Sequence, residues 1–239
     1  MNGGRLVNRL DRTLIEGLDA FQGLAGEDLD EILARARARR FKRKVAIFQQ
    51  GADADAFFVL LDGRLKVIQT TAEGQQIIVG FVDPGALFGI AAAFGRRDYP
   101  ATAIAAAESV TLAWDMSYWN PLVTRYPNVA TSALRMLGGR LQEQHTRIRE
   151  MSTQRVERRI AHVLLRLARQ AGRKIESGVE IDFPIARQDL AEMTAATLFT
   201  VSRIMSAWEQ QGIIEGGRQH IVLRDPHALV KIAEDAGEA

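Results

Sequence analysis

Residues 186–211, ARQDLAEMTAATLFTVSRIMSAWEQQ, decide the fold of the C-terminal part of this 239-residue chain. Apolar residues recur there at spacings that allow two short helices to pack across a sharp turn at 194–196. The residues expected to make this contact are Leu190, Ala191, Ala195, Val201, Ile204 and Trp208. Ala191 is small enough for the helices to approach closely, and Ala195 stands where glycine would be more usual. The stretch predicts a helix-turn-helix.

The segments on both sides extend this motif. GIIEGGRQHIVLRD, 212–225, predicts two strands around a hairpin at Gly216 and Gly217. Upstream, VERRIAHVLLRLARQAG, 156–172, predicts a helix that ends at its glycine, and KIESGVEIDF, 174–183, predicts a short strand pair. A helix-turn-helix followed by a wing is a stronger signal of DNA binding than the bare motif.

The pattern is different between Arg39 and about Leu112. Short segments rich in Val, Ile and Phe alternate there with turn signals such as Asp62-Gly63 and Asp83-Pro84-Gly85. Strands at this spacing predict a small antiparallel barrel or roll. A helix is expected before it, from Gly26 through Ala38.

Helical periodicity returns after Tyr118. Leu134, Leu141 and Ile148 are seven residues apart, which is the spacing of a coiled-coil seam, and His145 is a polar interruption that could fix its register. With Leu137 these residues form the predicted dimer face; the alternative is a helix that packs on its own barrel. The predicted fold class is α+β, with three segments: a β-roll sensor domain at 1–124, a dimerisation helix at 125–152, and a winged helix-turn-helix at 153–239.

Composition excludes several classes of protein. The chain has no cysteine, which excludes disulfides, iron–sulfur clusters and thiolate zinc sites. No metal site, phosphate-binding loop or nucleophile–base pair is apparent, so an enzyme is not expected. No apolar run reaches the roughly 18–20 residues of a membrane span, and no signal peptide is visible, so a cytoplasmic protein without a membrane partner is expected.

Charge alone does not predict DNA binding. The formal net charge is +2, and residues 153–239 carry 12 basic and 12 acidic residues. Any affinity for DNA must therefore come from basic side chains placed on one surface rather than from the overall charge.

Over nearly its whole length the chain resembles the CRP/FNR family of catabolite activators and fumarate-nitrate regulators. The resemblance rests on PGALFG (84–89), RVERRIAHVLLRLA (155–168), RQDLAEM (187–193), TVSRIMSAWEQQGII (200–214) and the glycine-rich wing. It implies a homodimer whose roll senses a signal and whose winged helix binds a palindromic operator in double-stranded DNA. Most such proteins are activators that contact RNA polymerase, and repression by operator occlusion is the variant.

The resemblance also implies which residues read bases. Phe199, Ser202 and Arg203 share one face of the second helix, and Leu198 lies beside them. Arg203 matches the family arginine that reads guanine, and Ser202 matches the serine of the FNR-type Glu-x-x-Ser-Arg pattern. Phe199 stands where that pattern has glutamate, and Leu198 where CRP has arginine. Phenylalanine cannot accept from a cytosine amino group but can lie against a thymine methyl, so a T-rich half-site with one guanine is expected.

Phosphate contacts are expected at the edges of the motif. Arg187 and Gln188 begin its first helix, where backbone N–H groups also point outward, and Thr197 lies at the start of its second helix. Arg218 in the wing is a further candidate for a backbone contact.

The roll lacks the residues with which relatives bind cyclic nucleotides. In those relatives a glycine–glutamate pair takes the ribose and an arginine–serine pair takes the cyclic phosphate. This chain has Gly89-Ile90 at the first position, and Thr102 follows Ala101 without an arginine at the second. A phosphate without its bidentate cation would bind poorly, so cyclic AMP is not expected as the effector.

The nature of the effector stays open at this point. The expected pocket walls Leu87, Phe88, Ile90, Phe94 and Ala101 are apolar, which suits a hydrophobic ligand or no ligand. No cofactor is predicted. The alternatives are haem, for which the candidate ligands are His145, His162, His220 and His227, and effector-independent action controlled by the abundance of the protein.

Overall fold

The structure is a computed structural model that describes residues 11–217 and 219–234. The chain divides into two units, residues 1–75 with 79–141 and residues 76–78 with 142–239. The division falls between Leu141 and Gln142, inside the long helix, whereas the sequence sets this helix apart as a segment of its own.

Residues 37–115 form eight strands. Their bounds are Arg37–Phe41 (β1), Ala46–Phe48 (β2), Ala56–Asp62 (β3), Leu65–Thr70 (β4), Gln76–Val82 (β5), Leu87–Phe88 (β6), Thr102–Ala105 (β7) and Ser109–Asp115 (β8). They lie in two four-stranded sheets, in the orders β1-β8-β3-β6 and β2-β7-β4-β5. The antiparallel roll predicted from the sequence is confirmed.

Strand β3 explains why part of the roll reads as a continuous apolar run. Successive side chains of a strand point to opposite faces of the sheet. Phe57 packs in one buried cluster with Leu112 and Trp114, and Phe58 packs in another with Phe88. Because both faces of β3 are buried, its sequence shows no alternation of apolar and polar residues.

Three helices flank the roll in the sequence: Gly26–Ala34 (α1), Trp119–Arg125 (α2) and Pro127–Thr153 (α3). The predicted extension of α1 through Ala38 is wrong. Residues 37–41 instead pair with β8, where Arg37 lies opposite Ala113. The indole Nε1 of Trp114 donates to the carbonyl of Ile32 at 2.8 Å and so satisfies a carbonyl in the last turn of α1.

The second unit contains the winged helix. Its helices after α3 are Val156–Ala171 (α4), Arg187–Thr194 (α5), Leu198–Gln210 (α6) and Pro226–Glu234 (α7). Its strands are Gly172–Ile175 (β9), Gly178–Ile181 (β10), Ile214–Gly217 (β11) and His220–Leu223 (β12), in the order β11-β12-β10-β9. The helix-turn-helix, the strand pair before it and the wing are confirmed.

Across the described residues, 11–217 and 219–234, every helix is too short or too polar to cross a membrane.

Candidate DNA-binding interface

The turn between α5 and α6 depends on an alanine in a left-handed conformation. Ala195 has φ 49° and ψ 45°, and its N–H donates to the carbonyl of Ala191. This conformation favours glycine, because the Cβ of an L-residue crowds the backbone there. Ala195 is exposed, so the expectation that it packs between the helices is wrong. It serves the turn through its backbone.

The other residues predicted to join the two helices are buried. Leu190 and Val201 are fully buried, and Ala191, Ile204 and Trp208 are nearly so. The Trp208 indole donates to Glu157 of α4 at 3.2 Å, which satisfies its only polar group. The helix pair therefore has a fixed apolar interface that leaves the other face of α6 free.

That free face begins at the N-terminus of α6. Thr197 caps the helix by accepting from the N–H of Thr200 at 3.1 Å. Leu198 is 47% exposed and Phe199 78% exposed, although both are large apolar residues. Arg203 is exposed and Ser202 half-buried one turn further along. The structure thus brings together the predicted base-reading residues Leu198, Phe199, Ser202 and Arg203.

Arg187, the first residue of α5, is already engaged within the domain. Its Nη2 donates to Glu209 Oε1 at 2.7 Å, and its Nη1 donates to Ser206 Oγ at 3.2 Å and to the carbonyl of Ser202 at 3.4 Å. Sequence reasoning assigned Arg187 to phosphate contacts and missed Glu209 and Ser206. Helical spacing places Ser202, Ser206 and Glu209 on one face of α6, but it does not show that Arg187 of α5 packs against that face.

Gln188 follows Arg187 on α5 and is exposed. Its Nε2 donates to Glu192 one turn later at 3.0 Å. The N-terminus of α5 is closed by Asp189, whose Oδ2 accepts from the N–H of Ala186 at 2.7 Å. Gln188 therefore lies at the start of a capped helix, with its amide on the surface.

The wing differs in one detail from the predicted hairpin. Gly216 and Gly217 lie in β11 and pair with Ile221 and His220, so the connection follows the glycines instead of containing them. Gln219 in the connection has φ 66°. Gly216 lies close to α6, since a Cβ at this position would be 2.0 Å from Glu209 Oε1 and would displace that carboxylate. Arg218, the predicted wing contact, lies outside the described residues.

Two protein-family models match the regions just described. The cyclic nucleotide-binding domain matches residues 38–126, which contain the roll, and the Crp-like helix-turn-helix domain matches residues 158–232. The chain belongs to the CRP/FNR family. It is therefore a transcription regulator with a DNA-binding helix-turn-helix and not an enzyme.

Named relatives align with most of this CRP/FNR regulator. The cyclic AMP receptor protein of Thermus thermophilus is 28% identical over 219 residues, which cover 92% of this chain and 98% of that protein. The solved structure of a CRP-family transcriptional regulator from the same organism is 25% identical, with a TM-score of 0.70, and covers 84% of this chain and 99% of its own. FixK2 from Bradyrhizobium japonicum has a TM-score of 0.72 at 22% identity over 85% of this chain and 99% of its own, which shows the shared fold.

The long helix α3 of this regulator carries an exposed apolar stripe. Leu134 is 61% exposed, Leu141 57% and Ile148 61%, and His145 is exposed between the last two. Leu137 differs from them because it packs partly against the buried cluster of its own roll. The structure therefore places four of the five predicted dimer residues on one uncovered face.

The predicted effector residues have different surroundings in the structure. Leu87 and Ile90 are buried in the cluster that contains Trp114, whereas Phe88 is buried with Phe58 in the other cluster. Phe94 is 49% exposed. Leu87 and Phe88 lie in different clusters because neighbours along a strand face opposite sides of the sheet.

Four aromatic rings fill the part of the roll around Gly89. Phe48 stacks on Tyr99 with ring centroids 3.9 Å apart, and Phe58 stacks on Phe88 at 5.1 Å. A Cβ at Gly89 would lie 2.7 Å from Cδ2 of Phe58. Nearby, Ala101 is buried, and the hydroxyl of Thr102 accepts from the N–H of Gln50 at 3.0 Å.

Proposed function

We propose that the protein is a homodimeric, sequence-specific regulator that binds a palindromic operator and acts mainly as an activator through contacts with RNA polymerase. It would act in the cytoplasm, where its DNA target would be. The observation that carries this proposal is the exposed face of α6, on which Phe199, Ser202 and Arg203 lie side by side. Large apolar side chains at the tip of a recognition helix are explained by contact with base edges in the major groove.

The chemistry of this face favours a particular half-site. Arg203 can donate two hydrogen bonds to O6 and N7 of one guanine, which is worth about 1–3 kcal/mol of discrimination. Phe199 offers no acceptor to cytosine but a large apolar surface to a thymine methyl. Thr197 and Gln188 supply polar groups at the two helix N-termini, where backbone N–H groups favour phosphates. The expected half-site is T-rich and contains one guanine.

The exposed stripe on α3 supports dimerisation. Three apolar residues spaced by seven along one uncovered helix face are the pattern of a parallel two-stranded coiled coil. A two-fold axis along α3 would present two copies of α6 to two half-sites about one helical turn of DNA apart. A palindromic operator follows from this symmetry.

Three observations argue against cyclic AMP as the effector. The ribose acceptor is replaced by Ile90, which is buried in the apolar core. The position before Thr102, where an arginine would pair with the cyclic phosphate, is occupied by the buried Ala101. Aromatic rings pack around Gly89, so a purine would have to displace them. We therefore propose a regulator that does not respond to cyclic AMP and, having no cysteine, holds no iron–sulfur cluster.

A second candidate function is sensing of a small ligand. It is favoured by a cavity of about 680 Å³ in the first unit, whose lining includes Leu18, Asp19, Leu87, Ser132 and Met136. Haem does not suit this site, since no histidine is among its described lining residues. The remaining alternative is action without an effector, controlled by the abundance of the protein.

Selection of bound sequences from random DNA by the purified full chain tests the proposal. The expected product is a palindrome with T-rich half-sites, each with one guanine whose selection disappears in Arg203→Ala. Recovery of the usual CRP or FNR half-sites, with the cytosine that a glutamate would read still enforced, would overturn the proposed readout. Recovery of no preferred sequence would overturn operator recognition itself.

A further inference from the structure

Glu209 is an acidic residue in the last turn of the helix that faces DNA. Its side chain is 28% exposed, and its Oε1 accepts a hydrogen bond from Arg187 Nη2 at 2.7 Å. An unpaired carboxylate on this helix would repel phosphates, whereas the carboxylate of Glu209 is paired with a cation.

The partner of Glu209 connects two helices. The Arg187 guanidinium contacts one face of α6 at Ser202, Ser206 and Glu209. Nη1 uses both of its N–H groups in these contacts and Nη2 uses one, so Nε and one N–H of Nη2 are not used by them. Arg187 can therefore hold α6 and still donate to a phosphate.

The same carboxylate also limits the position of the wing. A Cβ on Gly216 of β11 would collide with Glu209 Oε1, so the wing strand passes directly over this oxygen. One oxygen atom thus touches the first helix of the motif, through Arg187, and the backbone of the wing. The three elements α5, α6 and β11 therefore meet at this carboxylate.

We propose that Glu209 is a positioning residue for operator recognition, holding α6 in register with α5 through Arg187 and with the wing through its contact at Gly216. The inference rests on the operator recognition proposed above. Glu209 touches no base in this scheme; it fixes the angle at which Phe199 and Arg203 enter the groove. Small errors in that angle weaken base contacts much more than they weaken contacts to phosphates.

Glu209→Gln tests the proposal because a role of Glu209 through its charge and a role in positioning α6 predict opposite changes in operator affinity. The glutamine has nearly the same shape but removes the negative charge and the charge-assisted hydrogen bond to Arg187. Loss of such a hydrogen bond lowers the affinity of an interaction that depends on it by about tenfold or more. We expect affinity for the operator to fall by about this factor, and affinity for unrelated DNA to stay the same or rise. Glu176→Gln, which removes the same charge from an exposed turn of the same unit, should leave operator affinity within about twofold.

Two other results are decisive. Equal strengthening of binding to operator and unrelated DNA would mean that Glu209 acts only by its charge, which overturns the positioning role. A failure of the wild-type chain to distinguish operator from unrelated DNA would instead overturn the proposed function. General unfolding of a variant would lower its affinity for the operator and for unrelated DNA together. A thermal melt of each variant identifies such unfolding.

A double-mutant cycle with Gly216→Ala gives an independent test. In the wild-type background the added methyl would displace the Glu209 carboxylate from Arg187 and should lower operator affinity about tenfold, as expected for Glu209→Gln. In the Glu209→Ala background the colliding atom is absent, so Gly216→Ala should cause little further loss. An equal loss in both backgrounds would show that the wing and Glu209 are not coupled and would overturn the proposal.

Discussion

The rings of Phe48 and Tyr99 stack in the roll, with centroids 3.9 Å apart and an interplanar angle of 15°. Tyr99 is fixed further by its hydroxyl, which donates to the carbonyl of Ala56 at 2.7 Å, and burial raises its pKa to about 12. The stack therefore lies in a rigid environment beside Gly89.

Addition of cyclic AMP should leave the protein unchanged. A nucleotide present at 100 times its dissociation constant would stabilise the folded state by about 2.7 kcal/mol, which a thermal melt detects easily. We expect no shift in melting temperature and no change in operator affinity with excess cyclic AMP. The cyclic AMP receptor protein of Thermus thermophilus is the positive control, and a saturable shift in this chain would contradict the prediction.

Arg203→Ala should weaken operator binding by about 1–3 kcal/mol and relax selectivity at one base pair of each half-site. The reason is that its guanidinium reads a single guanine, whereas phosphate contacts are insensitive to sequence. Binding to variant operators with that guanine replaced measures the effect. Arg96→Ala, which removes one exposed arginine from the first unit, is the control. Similar losses on every operator variant would indicate a phosphate contact instead.

The double variant Leu134→Ala, Leu141→Ala should dissociate the dimer. Both side chains are more than half exposed in the protomer, so their loss costs the protomer little, but in a dimer four leucines would be lost together. An increase in the dimer dissociation constant of about a thousandfold, or about 4 kcal/mol, is expected from the apolar surface involved. Sedimentation velocity measures it.

Leu137→Ala is the matched comparison for that variant. Leu137 lies on the same helix but packs partly against its own roll, so the substitution should lower the melting temperature of the first unit more than it weakens association. An unchanged dimer in the Leu134→Ala, Leu141→Ala variant would refute the proposed interface.

Ala195→Gly should stabilise the winged helix. The left-handed backbone at this position costs an L-residue about 1–2 kcal/mol, and glycine avoids this cost. Glycine also loses more conformational entropy on folding, which offsets about 0.5–1 kcal/mol of that gain. A net gain of about 0.5–1 kcal/mol in the free energy of unfolding is expected. Ala196→Gly, at the next residue where φ is not positive, should destabilise instead. Chemical denaturation measures the free energy of unfolding of both variants. Destabilisation by Ala195→Gly would contradict the left-handed conformation at this position.

Stability of the second unit should fall as the pH is lowered through 6.5. Burial lowers the pKa of His162 below its ordinary value of 6.5, with Arg166 and Arg158 acting in the same direction against Glu150 and the Ala233 carbonyl. The unfolded chain then binds the proton more readily than the folded one, so protonation favours unfolding below pH 6.5. The melting temperature of the wild type should decrease between pH 7.5 and 5.5 more than that of His162→Gln. Equal decreases in melting temperature for the wild type and His162→Gln would exclude His162 as the cause of this pH dependence.

Local pattern was enough for much of the fold. The turn at Ala195 and the end of α4 before Gly172 both follow from rules that relate residues a few positions apart. The end of α1 does not follow from local pattern, because residues 37–41 carry no strong local signal and become a strand only by pairing with β8, which spans residues 109–115.

Only part of the candidate site can be predicted from the sequence, because local pattern does not show which separate elements meet. Phe199 and Arg203 follow from helical spacing, since a helix face can be read from the sequence. The contact of Arg187 with Glu209 joins two helices, and the contact of Glu209 with Gly216 joins a helix to a strand. Neither follows from periodicity, because both depend on the angle at which separate elements pack.

The sequence by itself determined the order of elements, the helix-turn-helix with its wing, the apolar stripe on α3 and the absence of cysteine ligands, because each is a local or compositional property. Only the tertiary structure decided that Leu137 faces its own roll, that aromatic rings pack around Gly89, and that Arg187 holds α6. These results depend on which side chains meet across long separations in the chain. Such contacts are set by close packing of the whole core, which no single segment encodes.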